Sequence, residues 1–456
     1  MSKSADHGHA SEKLDERRAK GAEWRKQVPL AAQAEWKPPA NRTDPIDILI
    51  EQGKNRIQEL LPVRYKRMKC DAFAFLRGAA AIMAVDLASG PATGLRVQLC
   101  GDCHLSNFGG YASPEGTALF DVNDFDETLP APFEWDVKRL AASLAVRGQV
   151  AKLPASECRR LARTAVKTYR RRLAELARQS PFAAWSSHVD LDRAIADIDS
   201  EKTRHKIEQR RKAILDGAAE HFGLVERKSG HWKIKEKPPL VRRLHHRELH
   251  AHQAFASYAE SLQEDRRVLL ERYHRHDVAF KTVGVGSVGT FCAIGLFVSD
   301  DGSPLLLQIK EAQTSVLAPF AGASDYANHG QRVVVGQRMM QAAPDVFLGW
   351  TQTPVNGRHF YVRRLKDSRL GDIGEMLEEA LPYYAKLCGH TLARAHARSG
   401  DALALSGYMG DGSDFDKAIA EFAMAYAGQT EHDWRALLDA IKAGRISAEE
   451  QHAPAA

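Results

Sequence analysis

The densest run of chemically capable side chains is Cys100-Gly101-Asp102-Cys103-His104-Leu105-Ser106-Asn107. A second run, Asp121-Val122-Asn123-Asp124-Phe125-Asp126-Glu127, follows after a short apolar stretch. Carboxylates and an amide at this spacing suit a hard cation such as Mg²⁺. That ion takes oxygen ligands from one or two protein groups and completes its shell with substrate phosphate. The same set serves phosphoryl transfer, in which one Asp accepts a hydroxyl proton while an Asn and a later Asp hold metal. In that assignment Asp102 is the base, and Asn107 with Asp121 or Asp124 holds the metal. Asp and Asn are common turn residues, but four acidic residues between 121 and 127 exceed what a turn needs.

The second feature is Gly284-Val285-Gly286-Ser287-Val288-Gly289. In a dinucleotide-binding fold a helix follows such glycines. Here Thr290 to Val298 follows, and its Phe, Ile and Val favour a strand. A strand–glycine loop–strand hairpin is instead the phosphate-covering device of protein kinases. The next apolar strand, Leu305 to Ile309, ends at Lys310, where such a fold carries the lysine that pairs with nucleotide phosphates. Gly284, Gly286, Ser287, Gly289 and Lys310 are therefore the candidate nucleotide contacts. A glycine-rich hairpin with a solvated lysine is the plainer account.

Other readings compete for some residues. Cys100, Cys103 and His104 match the haem-attachment pattern, but that attachment needs export, and no apolar leader opens the chain. The same three could hold zinc, yet no fourth ligand is evident. His245, His246, His250 and His252 cluster near Arg247 and read more simply as a solvated helix face. Arg332 and Arg338 suit either phosphate contact or an ordinary surface.

The elements that must position these groups follow from periodicity. Strands are expected at 95–100, 118–120, 278–280, 290–298, 305–309, 346–351 and 359–363. Helices are expected at 73–87, 135–176, 331–343 and from about 373 onward. Helical, then β-rich, then helical order indicates an α+β protein rather than an alternating βαβ sheet. The 456 residues give ample length for a core. With 44% hydrophobic and 27% charged residues, a disordered chain or a small disulfide scaffold is excluded. Six scattered cysteines and the lack of an 18-residue apolar run point to a soluble cytoplasmic protein without a membrane partner. The formal charge of +6 is uneven: residues 202–248 hold fourteen Lys and Arg against six Asp and Glu. That basic stripe reads first as a solvated helical face, and second as a dock for an anionic acceptor or nucleic acid.

Several of these residues together resemble a known family. Phe75-Leu-Arg-Gly78, Gly101 to Gly109, Asn123 to Glu127, Trp135 to Leu140 and Gln308 to Ala312 look like the bacterial domain of unknown function 2252. That likeness runs from about residue 45 to about 430. Beneath it lies a similarity to the kinase-like phosphotransferases of the aminoglycoside and choline kinase type. Their catalytic loop reads His-Gly-Asp, four residues, Asn; here Gly101, Asp102 and Asn107 stand at that spacing, with Cys100 in place of His. The resemblance further implies a metal-binding Asp at Asp121, with Asp124 as its rival, and a structural Asp at Asp136. It also implies a circular permutation, since the catalytic-type loop precedes the glycine loop. No acidic residue in the 331–343 helix is available to pair with Lys310.

The expectation is thus a two-lobed, kinase-like α+β fold in permuted order. Residues 1–45 would be a disordered tail, and 46–275 the large-lobe segment with the catalytic loops and basic insert. Residues 276–370 would be a β-rich nucleotide-binding lobe, and 371–456 helices completing the large lobe. The expected activity is ATP- and Mg²⁺-dependent phosphotransfer to a small-molecule or protein acceptor, with nucleotidyl transfer as a variant. The alternatives are a nucleotide sensor without turnover and a metal-dependent hydrolase built on the acidic cluster alone.

Overall fold

Residues 3–448 are described in a computed structural model, apart from 197, 199, 220–222, 229, 239–240, 244–253, 282–285, 287, 354–356 and 366–377. The first element corrects an expectation: much of the stretch read as a disordered tail is a helix, α1 (Lys3–Gln27). Its docking explains why apolar periodicity missed it. It approaches a later helix backbone to backbone, so closely that a Cβ on Gly21 would lie 1.8 Å from the Ala404 carbonyl oxygen. Arg17 pairs with Asp401, and Arg18 with Asp411. Small residues and charges hold this helix, not an apolar stripe.

The expected helix at 73–87 is two helices, α2 (Ala72–Gly78) and α3 (Ala80–Ala88), with Asp71 capping the first by accepting from the Ala74 amide. The expected 135–176 helical region is α4 (Glu134–Val150) and α5 (Ala155–Leu176). In α5 the buried positions Leu161, Ala162, Ala165, Val166, Tyr169, Leu173 and Leu176 recur at helical spacing and form one apolar face. Next come α6 (Glu201–Ala219) and α7 (His329–Met340). The final helices are α8 (Leu381–Ser399), α9 (Ala402–Met409) and α10 (Asp414–Lys442). Helices α4, α5, α8 and α10 pack on one another around the largest apolar core. Each fully buried Leu or Phe there contributes about 1.5–3 kcal/mol. Among the described residues no helix is long and apolar enough to cross a membrane.

Two small antiparallel pairs sit beside this helical body. β1 (Arg96–Leu99) pairs with β4 (Leu129–Pro132), and between them in the chain β2 (Phe108–Ala112) pairs with β3 (Ala118–Val122). This nesting matters for the site. Leu99 lies opposite Leu129, and Phe108 opposite Val122. The loop after β1 and the loop after β3 therefore emerge side by side.

The basic segment is not one helical face. After α6 it continues as a hairpin, β5 (Val225–Lys228) with β6 (His231–Ile234), and then β7 (Val241–Arg242). β7 forms the edge of a six-stranded antiparallel sheet. The other strands are β8 (Tyr273–Lys281), β9 (Cys292–Ser299), β10 (Pro304–Ala312), β11 (Gly349–Gln352) and β12 (His359–Arg364), in the order β11-β12-β10-β9-β8-β7. The strands expected at 278–280, 290–298, 305–309, 346–351 and 359–363 and the helix expected at 331–343 are all present, and the fold is α+β. One apolar cluster lies on each face of the sheet, which is why β9 and β10 read as continuous rather than alternating apolar runs. The histidine group at 245–252 lies outside the described residues.

Candidate functional site

The loop after β1 is held from behind. Asp136, in the first turn of α4, accepts from the backbone amides of Cys100 (2.8 Å) and Gly101 (3.1 Å). Gly101 has φ +85°, and a Cβ there would lie 2.3 Å from the Glu127 carbonyl oxygen, so only glycine fits between the two loops. Asp136 is positioned in turn by His396 Nε2 at 3.3 Å, and the other ring nitrogen of His396 meets the Tyr169 hydroxyl at 2.9 Å. His396 is fully buried. Its role here is to orient Asp136, which the helix-end position visible in the sequence did not indicate.

On this rigid base Asp102 faces the cleft. Arg139 grips its carboxylate through two guanidinium nitrogens, with Nε at 2.6 Å, and also donates to the Leu76 carbonyl. Burial raises the pKa of Asp102, and nearby Asp124 adds to the rise; Arg139 and Arg77 act against it. Asn107 donates from Nδ2 to the Asp102 carbonyl (2.8 Å), leaving its side-chain oxygen to other uses. The Asn107 carbonyl accepts from the Asn123 amide (2.8 Å), which ties the two loops together.

The second loop separates the two metal candidates. Asp121 is 1% exposed and lies behind the cleft. One of its oxygens accepts from Arg394 (2.5 Å) and the Val122 amide, the other from the Ala342 amide (2.8 Å). Asp121 thus carries three hydrogen bonds and does not line the cleft. Asp124 lines the cleft together with Asp102 and Asn107.

Lys310, on β10 opposite Tyr361 of β12, answers the question of its missing acidic partner. The partner comes from the other side of the cleft. Lys310 Nζ lies 2.7 Å from Asp126 and 3.8 Å from Asp124. The Tyr361 hydroxyl donates to the second Asp126 oxygen (2.7 Å). Burial acts against the Lys310 charge, but Asp124 and Asp126 outweigh it and raise the pKa above the ordinary lysine range. Burial likewise acts to raise Asp126, yet Lys310 and Tyr361 hold its carboxyl down at about 2. Arg332 is buried and does not line the cleft. It donates to the carbonyls of Thr128, Asp126 and Gln313 and so staples α7 to the acidic loop. Arg338 donates to the Leu348 carbonyl and lies over Trp350.

The glycine hairpin does join β8 to β9. Gly284 and Ser287 lie outside the described residues. Gly286 lines the cleft, and a Cβ on it would stand 3.2 Å from the Arg77 carbonyl and 3.8 Å from an Asp102 carboxylate oxygen. Gly289 has φ +93°, and its carbonyl accepts from the Ile57 amide (2.7 Å). Gly286 therefore stands against Asp102, although the two lie far apart in the sequence.

The cleft has a volume of about 830 Å³. Asp102, Asn107, Asp124, Asp126, Glu127 and Gly286 line it, and so do Arg56, Arg64 and Arg77. No periodicity or motif singled out Arg56 or Arg64, and Arg139 stood inside the Trp135–Leu140 motif without a role assigned to it. Cys100, Cys103 and Asp136 place ligand atoms within 4.8 Å of one another. Burial pushes both thiols up, Cys103 to about 11, and the carboxylate already serves the loop amides, so these residues fit a packed core better than a zinc centre.

A family model described as an uncharacterized protein conserved in bacteria, domain of unknown function 2252, matches residues 56–440. No curated protein and no solved structure matches the chain.

Proposed function

Because the chain belongs to this bacterial family, whose description assigns no activity, we propose a function from the cleft itself: ATP- and Mg²⁺-dependent phosphoryl transfer to a hydroxyl acceptor. One observation carries the reading. Asp102, Asn107 and Asp124 line one cleft with Gly286, and the Lys310–Asp126 pair lies beside them. The proposed fold is a kinase-like two-lobed one in circularly permuted order, with α7 and the six-stranded sheet as small lobe. The Asp136 grip on the catalytic-loop amides supports it, because the resemblance implies a structural Asp at that point.

In this reading Asp102 takes the proton from the acceptor hydroxyl. A partly desolvated carboxyl with a raised pKa is the better base, and Arg139 orients it and keeps it ionised. Asn107 and Asp124 supply the oxygen ligands that Mg²⁺ prefers. When bound, the ion neutralises phosphate charge. Gly286 brings backbone close to the phosphates, where a side chain would crowd Arg77 and Asp102. Such catalysis is positioning and electrostatic stabilisation. The acceptor hydroxyl belongs to a small molecule or a protein.

A second reading, a nucleotide sensor without turnover, is favoured by one detail: Lys310 is buried and already engaged by Asp126. A hydrolase that uses only the acidic cluster is the third. Thermal unfolding with and without Mg-ATP separates them. At a hundredfold excess over Kd a binder gains about 2.7 kcal/mol. The gain should vanish in Asp124→Ala and shrink in Lys310→Ala. A folded wild type that shows no shift at millimolar Mg-ATP would overturn both nucleotide readings. A shift without ADP release in any acceptor mixture would favour the sensor.

A further inference from the structure

Among its lining residues the cleft holds a guanidinium with too few partners. Arg64 is 1% exposed. Its Nη2 donates to the Gly78 carbonyl (2.8 Å) and, at 3.3 Å, to the Gln52 side-chain oxygen. Nε and Nη1 are buried with no hydrogen-bond partner. Among the described residues no carboxylate pairs with it. Glu127, the acidic group whose field reaches it, accepts from the Val316 amide instead. A buried charge without a counter-charge is costly, so folds seldom keep one unless something binds there.

Arg56 repeats the pattern. Its Nη1 donates to the Val288 carbonyl of the glycine hairpin (2.7 Å), while Nε is buried and unpartnered. Its Cβ lies 3.0 Å from where a Gly289 Cβ would be. Burial, and the like charge of Arg56, pull the Arg64 pKa down to about 9. A bound dianion would reverse that shift. Both side chains line the same cleft as Asp102.

We propose that Arg64 and Arg56 form a subsite for a phosphate group, placed beside Val288 and Gly289 in the cleft that Asp102 also lines. Two planar guanidinium forks with open N–H groups match the oxygens of a phosphate better than two ammonium groups would. The phosphate belongs either to the nucleotide's terminal position or to an acceptor that is itself phosphorylated. Only this last assignment rests on the phosphotransfer reading; the presence of an anion subsite does not.

Titration calorimetry with three probes tests it: inorganic phosphate alone, Mg-ATP and Mg-ADP, on wild type, Arg56→Ala and Arg64→Lys. The lysine variant keeps the buried charge and removes the fork, so it guards against a simple folding failure. Phosphate should bind wild type and raise its melting temperature, and each variant should weaken binding by about tenfold or more. If phosphate competes with Mg-ATP but not with Mg-ADP, and the variants weaken Mg-ATP alone, the group is the nucleotide's. If phosphate binds wild type saturated with Mg-ATP, the group is the acceptor's. Absence of phosphate binding at millimolar concentration, or equal binding by wild type and both variants, overturns the subsite even where Mg-ATP still binds. Phosphate binding that the variants weaken, in a protein that ignores Mg-ATP, leaves the subsite standing and removes the phosphotransfer reading.

Discussion

Asp121 and Asp124 stand three residues apart in one stretch of chain and end in opposite surroundings. Asp121 faces backward into the helical body, where Arg394 and two backbone amides take its oxygens. Asp124 faces forward into the cleft, 3.8 Å from Lys310. The contrast extends to both sides of the site. Behind it, Asp136, His396 and Tyr169 form a buried chain of mutually satisfied groups that holds the catalytic-type loop. In front, Asp102, Asp124, Arg56 and Arg64 keep atoms available to a ligand. Groups of the same types thus meet two kinds of surroundings: behind the cleft carboxylates are held by protein partners, and at the cleft they stand beside open volume.

The sharpest way to break the comparison is to remove one partner from the scaffold. Asp121→Ala strands Arg394, which is 0% exposed, without its counter-charge. Loss of about 3–5 kcal/mol in urea unfolding is expected. Replacing both residues, Asp121→Leu with Arg394→Met, should recover much of it. A single variant within about 1 kcal/mol of wild type would mean that Asp121 is not scaffold. On the cleft side the effect should appear in chemistry instead. Asp102→Asn is expected to lower turnover by about 10²–10⁴-fold, with Mg-ATP affinity kept. Loss of folding and binding together would move Asp102 to the scaffold side of the comparison.

The smallest effect is a matter of pH. The Asp126 carboxyl is held at about 2, below its usual 3.8. A depressed carboxyl contributes stability that is complete above its unfolded value and is lost as pH falls through the folded one. Wild type should therefore lose stability from about pH 4 down to about pH 2 through this group. Asp126→Asn should flatten that limb. Parallel urea midpoints for the two proteins between pH 5 and pH 2 would show that Lys310 does not depend on Asp126.

Much of the site was legible because its parts are local. Asp102 and Asn107 lie within one loop, and the glycines, the strand after them and Lys310 lie within one β-region, so spacing alone exposes their types. That Asp121 turns into the helical body and Asp124 toward the cleft was not legible. Strand alternation decides which face a residue takes, and here the end of β3 at Val122 sets where alternation stops. The α1 helix escaped notice because close Gly–Ala backbone packing leaves no apolar stripe to read. The basic stripe looked helical because charge content does not distinguish a helix face from an exposed hairpin.

What the amino-acid order by itself determined was the α+β composition, the core periodicity of α5 and the strands, and the inventory of reactive groups. What only the tertiary structure decided was which groups meet. Asp126 and Lys310 lie 184 residues apart and form the central ion pair. Arg64 and Asp102 come to one cleft from different helices and loops. Such pairings depend on how the helical body and the sheet close on each other, and this is set by the whole buried surface. No short window of sequence carries that information.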